Sequence, residues 1–170
     1  MDNQQERSFN IGWFVGALES EGSLSLTKGH RNKLGFRYTP MVMIVNSSDD
    51  FINSCRLVLE KLDMPYYVYK RRQTNGIVKS KRGIVCIQIS GHKRCKKFLE
   101  FFMPLMKVKY RQAVTLLNFV NYRLSVPYTT PYGEIEEQYR QQMKELNGIL
   151  RDYTSDTTSS EDIVRSHVKA

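Results

Sequence analysis

No stretch of this chain approaches the roughly 20 consecutive apolar residues that a membrane-spanning helix needs, so no such span is expected. Cysteine is scarce. Cys55, Cys86 and Cys95 are far apart and form no CxxC pair, which argues against a disulfide framework and for reduced thiols. With only three histidines, the isolated HxxC of His92 and Cys95 closes no four-ligand zinc set. The opening MDNQQERSFN lacks a basic flank followed by an apolar core, so no secretory signal is expected. The expectation is an intracellular protein, in the cytoplasm or an organelle and not secreted. P-loop, dinucleotide-binding and GxSxG strings are also missing, which removes three common enzyme classes.

The most informative absence is of acid. Between Met64 and Leu99 there is no aspartate or glutamate, while Lys70, Arg71, Arg72, Lys79, Lys81, Arg82, Lys93, Arg94, Lys96 and Lys97 all fall there. The chain as a whole carries +9, yet Tyr132 to Ala170 holds eight acids against five bases. Ten like charges in 36 residues repel one another unless a polyanion neutralises them, so nucleic acid is the expected partner. A membrane surface is disfavoured because the charges lie on alternating, strand-like sequence and not on an amphipathic helix. With 41% apolar and 25% charged residues in 170, the chain suits one globular domain.

Periodicity orders the elements. A first helix is expected from about Ser8 or Asn10, either of which can cap it, to Ser20 or Glu21, with Gly22 as its stop. SLSLTK, Ser23 to Lys28, alternates as a strand and leads through the basic turn GHRNKLG to a second strand, Phe36 to Asn46. Pro40 suggests an edge or a bulge there. Ser47 to Asp50 cap a second helix. Strands Tyr66 to Gln73 and Gly83 to Ser90 flank a loop, Thr74 to Arg82. Helices follow at His92 to Met103, Lys109 to Leu124 and Glu134 to Leu150, with a short one near Ser160 to Val168. This predicts an α+β fold: a four-stranded, largely antiparallel sheet with helices on one face. Residues 8–126 form the core and 127–170 a C-terminal helical extension of the same domain.

The uncovered face then follows from alternation. It collects Ser23, Ser25 and Thr27 from the first strand, Arg37, Thr39, Met41 and Met43 from the second, Tyr67, Tyr69 and Arg71 from the third, and Cys86, Gln88 and Ser90 from the fourth. Such groups can hydrogen-bond phosphates and base edges, and a twisted antiparallel ribbon can follow a major groove. Lys28, Arg31, Arg72, Lys79, Lys81 and Arg82 extend the candidate DNA-binding set through the turns.

The first helix carries FVGALESEG, Phe14 to Gly22. Gly12, Gly16 and Ser20 recur every four residues, although each helical glycine costs around 1 kcal/mol against alanine. A stripe this bare lets two helices approach closely, and the obvious mate is the same helix of a second copy, in an isologous contact. The candidate interface is Gly12, Trp13, Gly16, Ala17, Glu19 and Ser20. Glu19 and Glu21 sit where the helix dipole disfavours them; paired across a two-fold, such carboxylates repel unless a cation lies between. Hard oxygen ligands beside a phosphate imply Mg²⁺ or Mn²⁺.

FVGALESEG resembles the LAGLIDADG signature: Gly16 and Gly22 match its glycines, and Glu19 and Glu21 stand where it has aspartates. KVKYRQA, Lys107 to Ala113, looks like the family's lysine-rich helix start, and the element order fits from about Ser8 to Leu150. The tail from Leu146 to Val168 resembles the C-terminal helices of dimeric members. With one copy of the signature, the chain resembles a single-motif LAGLIDADG homing endonuclease. The resemblance implies an αββαββα fold with a saddle-like sheet. It also implies a homodimer that cuts both strands of a long, nearly palindromic DNA site, leaving 3′ overhangs, in the service of intron homing. It places Glu21 on the catalytic, metal-binding acid and the carbonyl of Ser20 on a further metal ligand. Asn46 falls where a glutamine often orients water, Lys109 on the basic residue near the scissile bond, and Glu19 on the acid that caps and orients. Glutamate for aspartate at both acids lengthens each arm by a methylene, and Asp50 stands where some relatives have arginine. The alternatives are a non-catalytic binder, either an RNA-gripping intron maturase or a transcription factor, and a structural basic protein.

Overall fold

The computed structural model describes residues 3–30, 35–71 and 83–148. The elements run α1 Asn3–Glu21, β1 Gly22–His30, β2 Phe36–Asn46, α2 Asp49–Lys61, β3 Tyr67–Arg71, β4 Ile84–Ser90, α3 His92–Phe102, a 3₁₀ turn Met103–Leu105 and α4 Tyr110–Ser125. A fifth helix, α5, spans 134–148. The strands form one antiparallel sheet in the order β1-β2-β4-β3. One face of it is buried under the helices by Leu24, Leu26, Tyr38, Val42, Ile44, Val85, Ile87 and Ile89, packed against Phe14, Leu18, Leu59, Phe98, Phe102 and Phe119.

Two expectations need correction. α1 begins at Asn3, so Ser8 and Asn10 cap nothing; the Ser8 hydroxyl instead donates to the Gln4 carbonyl at 3.0 Å, the back-bond by which a serine is accommodated inside a helix. Pro40 lies on an interior strand. It is tolerated because it pairs only with Leu26 of β1, one residue beyond the β2–β4 ladder that starts at Met41↔Ser90. Gly22 directly follows the last residue of α1, as expected of its stop, without the left-handed φ of a helix cap, since among the described residues the glycines with positive φ are Gly35 and Gly91. A Cβ at Gly22 would lie 2.3 Å from the Leu18 carbonyl oxygen and 2.6 Å from its Cδ1. Glycine is needed here because helix turns into strand without a loop, and the space is already filled.

α5 is held by two polar clusters. The Arg123 guanidinium, 3% exposed, donates to Glu136, 2% exposed, at 2.7 Å. It also donates to the Thr130 carbonyl and lies 3.9 Å over the Tyr132 ring, while Glu136 accepts from the Gly133 amide at 2.8 Å. Nearer the β1–β2 turn, Glu137 accepts from Lys28 at 3.0 Å, from the Tyr38 hydroxyl and from Arg140. Arg140, Tyr38 and Lys28 together hold its carboxyl well below the ordinary carboxylate value.

Three measurable consequences follow from this packing. Gly22→Ala is expected to lower stability by about 1–3 kcal/mol through overpacking against backbone, read by chemical denaturation. Glu136→Ala leaves Arg123 buried and unpaired and should cost about 3–5 kcal/mol. Because the folded Glu137 pKa is depressed, its stabilisation is complete above the unfolded carboxylate value and is lost as pH falls through the lower folded one. Glu137→Gln should therefore flatten the acid limb of the stability–pH profile.

Candidate active site and nucleic-acid interface

The two carboxylates at the end of α1 have different fates. α4 lacks a side-chain cap of its own at Lys109, so its first amides need an acceptor from elsewhere. Glu19 supplies it: one carboxylate oxygen accepts from the backbone amides of Lys107 at 2.5 Å, Val108 at 2.6 Å and Lys109 at 3.2 Å. The negative charge thus leaves the unfavourable pole of α1 for the favourable pole of α4. Lys109 reciprocates, its ammonium donating to the Glu19 backbone carbonyl, one of the orphan acceptors at the α1 terminus. Half-buried, the Lys109 amine is pushed below the ordinary lysine value by desolvation, against the opposing pull of Glu19 and Glu21. Glu21 is exposed, and among the described residues its carboxylate makes no hydrogen bond or ion pair.

Ser20 is exposed, and its hydroxyl donates to the Ala17 carbonyl at 3.2 Å. Asn46 ends β2 opposite Val85, on the helix side of the sheet. Its Oδ1 accepts from the Ser48 amide at 2.8 Å, so that oxygen is committed to the turn into α2. Among the described residues no three of His, Cys, Asp and Glu converge as a metal site. The donor set around one chain is Glu21 with the terminal carbonyls of α1: chemically right for a hard cation, and short of a full shell.

The open face has the expected composition. Across the sheet, Ser23, Met43, Gln88 and Tyr67 lie in one row, Ser25, Met41 and Ser90 in the next, then Thr27 with Thr39, and Gly29 with Arg37. Tyr67 and Tyr69 are exposed and Met41, Met43 and Gln88 half-buried. Cys86 departs from expectation. It faces outward by register yet is 1% exposed, because Tyr69 on β3 donates to the Met43 sulfur on β2 at 3.5 Å and its ring crosses the intervening β4. Lys28 also departs. It pairs with Tyr38, which puts it on the helix side, where Glu137 and the Phe36 ring, 4.3 Å away, engage it. Arg31, Arg72, Lys79, Lys81 and Arg82 lie outside the described residues, as does the Arg71 side chain. Arg94 was missed: from the first turn of α3 it reaches round the sheet edge to stack 4.8 Å over Tyr67 and hydrogen-bond its hydroxyl. Helical periodicity along α3 carries no signal for that crossing.

On α1, Gly12 and Gly16 are exposed, and a Cβ at either would meet nothing within 4 Å. Nothing among the described residues of this chain therefore requires them to be glycine. Trp13 is half-exposed and rests against Phe51 at 5.7 Å between ring centroids. Ala17 is packed into its own chain's core, and the Glu19 carboxylate turns to α4, so these two do not extend the bare stripe.

No protein-family model matches the chain, and no curated protein does. Solved structures do. The homing endonuclease I-CvuI, in complex with a DNA target, is 16% identical with a TM-score of 0.58, over 84% of this chain and 97% of that one. The homing endonuclease I-TnaI gives 17% and 0.55, over 80% and 97%. The meganuclease I-SmaMI, bound to uncleavable DNA, gives 14% and 0.58 over 81% of this chain but 43% of its own. The chain thus has the α+β fold of the LAGLIDADG homing endonucleases, as its signature suggested.

The division of labour between the acids is measurable. Glu19→Ala should destabilise by about 1–2 kcal/mol through loss of the α4 cap. Glu21→Gln, which removes a carboxylate from a helix C-terminus, should leave stability unchanged or raise it by up to about 1 kcal/mol. Denaturant titration of both variants gives the contrast. In the same assay Gly16→Ala should gain up to about 1 kcal/mol in a lone chain.

Proposed function

We propose that the chain is a sequence-specific, divalent-metal-dependent endonuclease. On this reading it cuts double-stranded DNA as a homodimer on a long pseudo-palindromic site, leaving staggered 3′ overhangs, and acts in intron homing. The observation that carries this reading is the position of Glu21. It is an unengaged carboxylate at the corner where the glycine-striped helix runs straight into the first strand of a base-reading face. The homing endonucleases of the same fold supply support, since I-CvuI was solved on DNA targets with Mg²⁺ or Ca²⁺.

In this reading the bare stripe of Gly12, Gly16 and Ser20 meets its counterpart on a second copy. That brings two Glu21 carboxylates and two sets of α1 terminal carbonyls near the two DNA strands. Glu21 and the Ser20 carbonyl would hold Mg²⁺ or Mn²⁺, completed by DNA phosphate oxygens; such an ion activates water and stabilises the leaving oxygen. Lys109 is held beside both acids, where its positive charge stabilises negative charge developing on the scissile phosphate. Asn46 keeps its amide nitrogen to orient solvent, and Arg37 and Arg94 contact phosphates at the margins of the sheet. The buried thiols, with Cys95 pushed up to about 12 by burial, suit a reducing compartment, cytoplasm or organelle. Intron RNA is the competing partner, and that reading leaves Glu21 without a task.

The test is a library of randomised duplexes incubated with the protein and Mg²⁺. Wild type should produce double-strand breaks at one selected sequence class. Glu21→Gln should retain binding and lose cleavage by at least about 100-fold, as for removal of a catalytic stabilising group. Cleavage at the wild-type rate by that variant would exclude Glu21 as the catalytic acid.

A further inference from the structure

The open face is not chemically uniform along its length, and the gradient indicates which bases it reads. By register its described positions are Ser23, Ser25, Thr27 and Gly29 on β1, Arg37, Thr39, Met41, Met43 and Val45 on β2, Ile84, Cys86, Gln88 and Ser90 on β4, and Tyr67 and Tyr69 on β3. The charged side chain among these is Arg37, at the β1–β2 end, and Arg94 reaches Tyr67 from the lateral edge. The middle of the sheet, around Met41, Met43 and Gln88, has none. Phosphate contacts therefore belong to the margins, and base contacts to the centre.

The centre lacks the side chains that select G·C pairs. Guanine is read in the major groove by arginine or lysine, and cytosine by a carboxylate; neither type is present there. What is present are two thioethers, one carboxamide and the hydroxyls of Ser23, Ser25 and Ser90, which can read either kind of pair. Gln88 Nε2 donates to the Ser90 hydroxyl oxygen at 3.1 Å, which fixes the plane of the amide. It leaves Oε1 and one N–H free, the acceptor and donor that an amide presents to N6 and N7 of adenine. Met43 is directly beside Gln88 in the register and Met41 beside Ser90. Tyr69 holds the Met43 sulfur from the far side, so this apolar surface is braced and not free to fold away. Neighbouring same-face residues on a strand are about 6.8 Å apart, about two base steps at 3.4 Å each.

Resting on the endonuclease reading, we infer that the sheet centre reads an A·T segment in each half-site. Gln88, oriented by Ser90, pairs with an adenine. Met41 and Met43 pack on thymine methyl groups within about two base pairs of it.

The full-length wild-type chain, with chelator present to prevent cutting, is used to select duplexes from a randomised library. The selected half-sites should contain a short A·T run. At one position in it, Gln88→Arg should move the preference from adenine to guanine, and Gln88→Ala should reduce discrimination at that position roughly ten-fold. Replacing thymine by deoxyuridine removes only the methyl group. It should weaken wild-type binding several-fold, and make no difference to the Met41→Ala, Met43→Ala double variant. Enriched sites with G·C pairs throughout, or a base preference that ignores Gln88, would overturn the inference and leave the endonuclease reading standing. Absence of any enriched sequence would overturn both.

Discussion

A single carboxylate oxygen organises this molecule. By accepting from three consecutive amides at the start of α4, Glu19 ties the end of the first helix to the start of the fourth, 88 to 90 residues away in sequence. The tie is reciprocal, because Lys109 donates to the Glu19 carbonyl. An acid at the wrong end of its own helix is thereby at the right end of another. Around it lie the direct passage into β1 at Gly22, the exposed Glu21 and a lysine beside two acids.

This arrangement separates structural from chemical work in a two-acid motif. Were both carboxylates engaged, no ligand would remain for a cation; were both free, the helix end would be unanchored and doubly repulsive. One engaged and one exposed acid gives a rigid mount with a free carboxylate at its tip, which is what the proposed metal-dependent chemistry needs. The bare face of α1 lies beside that tip. Its two glycines lack any neighbour among the described residues that demands them, and the proposed homodimer would give them one.

Much of the fold was legible from alternation alone. The open-face set on β1, β2 and β4 followed from period-2 pattern because each strand has one buried side, and a register error would have moved every core residue outward. The start of α1 was not legible, since its first turns are polar throughout and serine at an interior position mimics a cap. Lys28 was misplaced because Ser23 to Lys28 reads as one polar-apolar series, and parity puts its last member on the helix side, where Glu137 holds it. That partner is 109 residues away, beyond any local signal. The site was legible in residue type and not in division of labour. Nothing in FVGALESEG shows which glutamate reaches α4, and the Tyr69 bridge over Cys86 and the Arg94–Tyr67 stack are equally tertiary.

On the proposed reading one chain holds half of a site: a lone Glu21, half a glycine seam and one sheet's worth of base contacts. Its most direct test is the mass of the protein–DNA complex, measured by sedimentation equilibrium on a duplex carrying the selected sequence. The account predicts two chains per duplex, bound with no detectable one-chain species at intermediate protein concentration. A complex of one chain per duplex at saturation would contradict it.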